Sequence, residues 1–215
     1  MGTANNIAKI LDLPVETEKI IKSWKKPAIK KYDVGRLMNV KEAEFFLESF
    51  GYGVFPYLML EMIREDKESI ENPEEKIKTA QELLLEIMNN YEARLCDLQI
   101  DGKDYSGKYL LVEIMNTRSI GPNLLLSPDS DPGDGKLNIV MIGEKHRKKF
   151  INYIKGELSD SEAEYKFDTI EGQNISIRWE GTHVHVDDKV VQIKKSAEVQ
   201  IELLPDLIDF IVPIE

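Results

Sequence analysis

Cysteine occurs once, at Cys96, which excludes a disulfide within the chain and suits a reducing cytoplasm. A lone cysteine of this kind reads as a small buried residue rather than a reactive thiol. No apolar run approaches the ~20 residues that a membrane-crossing helix needs, and the N-terminus has no basic segment followed by an apolar one. A soluble, unsecreted, cytoplasmic protein is therefore expected, with at most peripheral membrane contact. Positive charge is in short supply too: 28 Lys and Arg face 39 Asp and Glu, a net charge of -11. That balance opposes an extended phosphate backbone, so no nucleic-acid partner is expected. Also missing are GxxxxGK[ST], GxGxxG and a serine-nucleophile elbow.

What remains is the composition of an ordinary globular protein, 42% hydrophobic and 31% charged over 215 residues. Apolar spacing predicts two short helices, one at 7–11 and one starting at Pro14 or Val15. Strands are predicted at 28–37 and 43–49, the second running into a turn at 50–53 whose two glycines imply unusual backbone angles or a close backbone approach. Helices follow at 56–64 and 73–88, joined by a polar connector. From about residue 94 the pattern is β-rich: a hairpin around Asp101-Gly102, a strand at 136–142, one helix at 146–154, then short strands to 213. The order predicts an α+β fold whose C-terminal part is an antiparallel β-sandwich with one inserted helix.

Three segments could carry chemistry. In Ser127-Pro128-Asp129-Ser130-Asp131-Pro132-Gly133-Asp134-Gly135-Lys136, closely spaced aspartates on a Pro- and Gly-constrained loop could gather oxygens around a hard cation such as Mg²⁺. The same aspartates could equally cap their own turn. His183 and His185 alternate along one strand, as exposed residues or as half of a metal site. Asp187-Asp188 then reads as a hairpin turn or a catalytic carboxylate pair. Gly2-Thr3-Ala4-Asn5-Asn6 precedes a helix, where it could cap the helix or offer amides to a phosphate.

Taken in order, these segments resemble the superfamily of diacylglycerol kinases, sphingosine kinases and bacterial lipid kinases, whose architecture is similar to NAD kinase. Gly2-Thr3-Ala4-Asn5-Asn6 resembles its GTxND segment, and Tyr32-Asp33-Val34-Gly35 its D-hydrophobic-G strand. The 46–56 stretch resembles the closure of the lipid-side cleft. Met115-Asn116, Ile120-Gly121 and the 127–137 loop resemble its N…GG…DGxL signature, and Asp187-Asp188-Lys189 falls at its DGE.

The resemblance implies a remnant of an α/β nucleotide-binding domain over 1–27, then a lipid-kinase-like β-rich domain over 28–215 with a helical insert at about 56–90. It implies catalytic positions at Asp187, Asp188 and Lys189, nucleotide contacts at Gly2, Thr3, Asn5 and Asn6, and Mg²⁺ held around Asp131, Asp134 and Lys136. The partner would be a lipid or another small hydroxyl compound; a homodimer is left open. Three features depart from the family. The GGDGT nucleotide loop is absent, so ATP would bind only with an upstream domain. Asn6 stands where the family has an acid, and Lys189 stands at the presumed base. The sequence thus predicts the lipid-side part of a lipid kinase, inactive as this chain alone, or a non-catalytic lipid- or metabolite-binding relative. A nicotinamide-nucleotide kinase is a third reading, against which Phe45, Phe46, Phe55 and Tyr57 argue for a lipid.

Overall fold

The computed structural model describes residues 5–14, 16–159 and 166–213. The chain opens with two short helices, α1 (Asn6–Ile10) and α2 (Thr17–Ser23). Strands β1 (Pro27–Met38), β2 (Phe45–Phe46) and β3 (Ser49–Gly53) then lead into α3 (Val54–Arg64) and, after a 3-10 turn, α4 (Pro73–Asn90). Proline at the first position of α4 and Asn72 before it set that helix start, the Asn72 side chain accepting from the Glu74 and Glu75 amides.

The β-rich half comprises β4 (Arg94–Ile100), β5 (Lys103–Asp104), β6 (Gly107–Met115), β7 (Ser119–Ile120), β8 (Leu124–Leu125) and β9 (Leu137–Gly143). After α5 (Arg147–Leu158) come β10 (Thr169–Gly172), β11 (Asn174–Trp179), β12 (His183–Val186), β13 (Lys189–Gln192) and β14 (Glu198–Pro213). One long sheet runs β13-β12-β3-β6-β4-β11-β14-β1-β2, with β9 added to β6 and β10 to β9. Its pairings are antiparallel, as the α+β reading expects.

The sheet curls around a core that includes Phe46, Phe50, Tyr52, Leu98, Val112, Ile177 and Trp179. Its outer face, through Leu111, Met115, Val140 and Ile142, packs against α3, α4 and α5 to make a second core. Strand β6 is buried on both faces, which is why Leu110 to Met115 reads as an almost unbroken apolar run. Among the described residues no helix is long and apolar enough to cross a membrane.

Three expectations change. The strand expected at 43–49 is only the two-residue β2, Phe45–Phe46, before β3 begins at Ser49. The 50–53 segment belongs to strand β3 rather than a turn, because Phe50 and Tyr52 point into the sandwich core while Gly51 lies on the other face, against Glu113. Gly51 has a steric reason: a Cβ there would collide with the Glu113 carboxylate. Gly53, with φ 102°, lets the strand turn directly into α3. The last stretch, expected as short strands up to 213, is instead one long strand, β14, bulged where Asp206 adopts φ 54° opposite Asp33. The bulge absorbs Pro205, which has no amide to give to a ladder.

Candidate functional site

The outer face of the sheet and the helices that cover it enclose a cavity of ≈250 Å³. Helix α3 contributes Phe55, Leu58, Met59 and Met62, α4 contributes Ile77 and Ala80, and Ile120 to Pro122 close the apolar wall. The other end is polar, lined by Asn6, Glu48, Ser49, His185, Asp187 and Asp188. Helical spacing at 55, 58, 59 and 62 gives α3 one apolar stripe, and the cavity is where part of that stripe finds no packing partner.

Asp187 organises the polar end. It sits at φ 50° in the two-residue turn between β12 and β13, a conformation that Asp tolerates. Its carboxylate accepts hydrogen bonds from the backbone amides of Leu47, Glu48 and Ser49, at 3.1, 2.8 and 3.1 Å. The β12–β13 turn is thereby locked to the segment joining β2 and β3. Beside it, Glu48 Oε2 accepts from Asn6 Nδ2 at 2.8 Å. Burial raises the Glu48 carboxyl above the ordinary range, the Asn6 hydrogen bond opposes this, and the charges of Asp187 and Asp188 add to the rise.

Behind this layer lies a buried pair. His185 Nε2 is 2.7 Å from Glu113 Oε2, and both residues are at most 1% exposed. His185 Nδ1 lies 3.2 Å from the Asp187 carbonyl oxygen, which can only accept, so Nδ1 carries a proton. The remaining proton is shared between Nε2 and the carboxylate. Burial by itself would lower the His185 pKa, but the charge and hydrogen bond of Glu113, with the Asp187 carbonyl, raise it.

The 127–137 loop lies beside β1. Asp131 Oδ1 accepts from the Gly133 amide at 3.1 Å and Asp134 Oδ1 from the Lys136 amide at 2.9 Å. Asp33, fully buried on β1, receives the Gly135 amide on one oxygen and the Asp206 amide on the other, both at 2.8 Å. Asn116 ties β1 to the segment joining β2 and β3: its Nδ2 donates to the carbonyls of Asp33 and Leu47 at 2.9 and 3.0 Å. Burial, with the charges of Asp131 and Asp33, raises the Asp134 carboxyl, while the Lys136 amide opposes the rise. Among the described residues no group of three or more His, Cys, Asp or Glu side chains is placed to hold a metal ion. A cation at this loop would have to draw on backbone carbonyls as well.

Residues 64–187 match the family described as the YegS C-terminal NAD kinase beta sandwich-like domain. The chain belongs to that family. Similar solved structures are those of a Bacillus anthracis strain Sterne protein described as a diacylglycerol kinase. Two of them share 22% and 21% identity with this chain, with TM-scores of 0.69 and 0.71. Each alignment covers 98% of this chain and 66% of the other, and likeness at this identity speaks to the fold. No curated protein matches the chain.

Within this family fold, the residues singled out from sequence scatter. Gly2 and Thr3 lie outside the described residues. Asn5 has φ 49° and makes no capping hydrogen bond with its side chain, while Asn6 is buried in the cavity wall. Asp187 and Asp188 line the cavity, whereas Lys189 is exposed on β13 and does not. Lys136 is paired with Glu171 at 2.6 Å, so its side chain is turned to another partner. His185, expected to be exposed, is buried because Glu113 receives it; His183, half-buried, contacts Thr182 instead. Cys96 is 2% exposed and its thiol is pushed up to about 12 by burial, so it is a core residue.

Glu48 and Glu113 were not singled out from the sequence. Glu113 is a lone acid inside the apolar strand segment Leu111-Val112-Glu113-Ile114, and Glu48 directly follows the apolar run Phe45-Phe46-Leu47; those mismatches were the available signal.

Proposed function

We propose that this chain forms the acceptor-lipid side of a diacylglycerol-kinase-like phosphotransferase. The observation that supports the reading is the two-ended cavity: largely apolar between α3 and α4, where the Lys76–Glu68 pair supplies the charged lining, and acidic at Glu48, Asp187 and Asp188. A glycerolipid has the same division, with acyl chains for the apolar wall and a free hydroxyl for the acceptors at the polar end. Phosphoryl transfer also needs the phosphates held and their charge neutralised. The sequence carries no GGDGT loop to do so. The chain alone is accordingly expected to bind acceptor lipid without ATP-dependent turnover.

Lipid binding is the direct check. Isothermal titration with a short-chain diacylglycerol should give saturable binding, and Ile77→Asp, which places a charge on the apolar wall, should weaken it at least about tenfold. Binding that is unaffected by Ile77→Asp would place the lipid elsewhere.

The 127–137 loop supports Mg²⁺ as the accompanying ion. Asp131 and Asp134 are hard oxygen donors near the Asp33 carboxylate, and a divalent cation would relieve the repulsion from Asp131 and Asp33 that adds to the effect of burial on Asp134. Lys136 could offer only its carbonyl. Millimolar Mg²⁺ is expected to raise the melting temperature by mass action, and Asp134→Ala to remove that gain. An equal Mg²⁺ response in both proteins would reject the site.

A non-catalytic lipid-binding role is the second reading, favoured by Asn6 at the family's acidic position and by Lys189 outside the cavity. Turnover by a longer protein that also carries a nucleotide-binding segment separates the two.

A further inference from the structure

The polar end of the cavity contains several groups that could meet a hydroxyl, and the hydrogen bonds distinguish them. Both oxygens of Asp187 are engaged by the amides of residues 47–49. Asp188 is exposed, and its carboxylate is solvated. Lys189 does not line the cavity, and a protonated amine has no lone pair to accept with. Glu48 is half-buried in the wall with Asn6 donating to it.

Asn6 supplies the second observation. It is 7% exposed and lines the cavity, yet its Oδ1 is buried without a hydrogen-bond partner. An orphaned buried acceptor is unfavourable, so the side chain is held by its other contacts. The Nδ2 of the same amide is committed to Glu48, which fixes the orientation of the side chain. Asn6 thus holds the Glu48 carboxylate in place, and a hydroxyl, with a single proton to give, meets Glu48 rather than Oδ1.

Resting on the acceptor-lipid reading above, we propose that Glu48, positioned by the Asn6 amide, is the group of this site that recognises the acceptor hydroxyl and takes its proton. The co-reactant is a nucleoside triphosphate. The lipid hydroxyl oxygen forms a bond to the terminal phosphorus as its O–H proton passes to the Glu48 carboxylate. The bond from that phosphorus to the bridging oxygen breaks, and its electron pair leaves with the nucleoside diphosphate. The proton acceptor is then Glu48, and the step does not depend on Lys189.

The surroundings of Glu48 suit the role. Facing it are Asp187 and Asp188 from the β12–β13 turn, His185 backed by Glu113, and Tyr32 from β1. Lys76 and its partner Glu68 line the same cavity. A carboxyl raised by burial, and further by two neighbouring acids, is a better proton acceptor near neutrality than an ordinary solvated one.

The test uses the full 215-residue chain with sn-1,2-dioctanoylglycerol and its 3-O-methyl ether, titrated calorimetrically from about pH 4 to about pH 8. The wild type is expected to prefer the free alcohol by about tenfold near neutrality, the worth of one buried hydrogen bond to a charged group. That preference should shrink as falling pH protonates Glu48. Glu48→Gln should lose both the preference and its pH dependence while keeping the affinity for the ether, and Glu48→Asp should restore the pH dependence. A merely structural role would weaken both ligands together and leave the pH profile unchanged. Wild-type preference and profile retained in Glu48→Gln would overturn the assignment. Equal binding of alcohol and ether by the wild type would also overturn it while leaving the lipid reading intact, and binding of neither lipid would remove both.

Discussion

Replacing Glu113 by alanine is expected to cost about 3–5 kcal/mol, the range for removing one member of a buried ion pair. His185 would be left fully buried, with Nδ1 still donating to the Asp187 carbonyl and Nε2 facing a void. Set against a typical domain stability of about 5–15 kcal/mol, such a loss is visible in a urea midpoint and could abolish folding at 37 °C. Glu113→Gln should cost much less, about 1 kcal/mol, because the side-chain amide can donate to a neutral Nε2.

The two Glu113 variants also separate in pH. His185 binds its proton more tightly in the folded chain than in the unfolded one, so the stabilisation it provides is complete below the unfolded value near ~6.5. It is then lost as pH rises through the higher folded value. Wild-type stability should therefore decline on the alkaline side of that point, and Glu113→Gln, with histidine neutral throughout, should decline less. Identical pH profiles for the two proteins would show that no proton is held in the pair.

The second large effect is expected at Asp187. Alanine there strips an acceptor from the amides of Leu47, Glu48 and Ser49, and also places a residue that disfavours it at φ 50°. The segment is partly buried, so water can repair some of this, and about 2–3 kcal/mol is the expected loss. Asparagine tolerates the backbone angle and keeps one oxygen, so Asp187→Asn should cost only about 1 kcal/mol. Chemical denaturation of both variants checks the order. Equal costs for alanine and asparagine would mean that the carboxylate does not hold the turn.

The element pattern was largely legible because it is local. Strands at 94–100 and 174–179 and the α4 helix follow from alternation, helical spacing and a proline start, and they match β4, β11 and α4. The misjudged places depend on partners distant in sequence. Nothing near residue 51 announces that Gly51 must clear Glu113, and nothing near 206 announces a bulge opposite Asp33. The site divides the same way. Asp187 and Asp188 stood out as a turn beside alternating histidines, but the role of Asp187 lies in amides about 140 residues earlier in the chain. His185 and Glu113 are 72 residues apart, and only the pairing of β12 with β3 and β3 with β6 brings them together. Lys189 attracted notice by its place in a motif, yet the pleat of β13 leaves it in solvent.

The central claim is that the cavity between α3, α4 and the β12–β13 turn receives an acceptor lipid with its hydroxyl at the acidic end. A crystal structure of the chain with sn-1,2-dioctanoylglycerol tests it most directly. The account predicts acyl density along Leu58, Met62 and Ile77, with the free hydroxyl within hydrogen-bonding distance of Glu48. Acyl chains bound on another surface, or a lipid lying in the cavity with its hydroxyl at the Lys76 end, would contradict it.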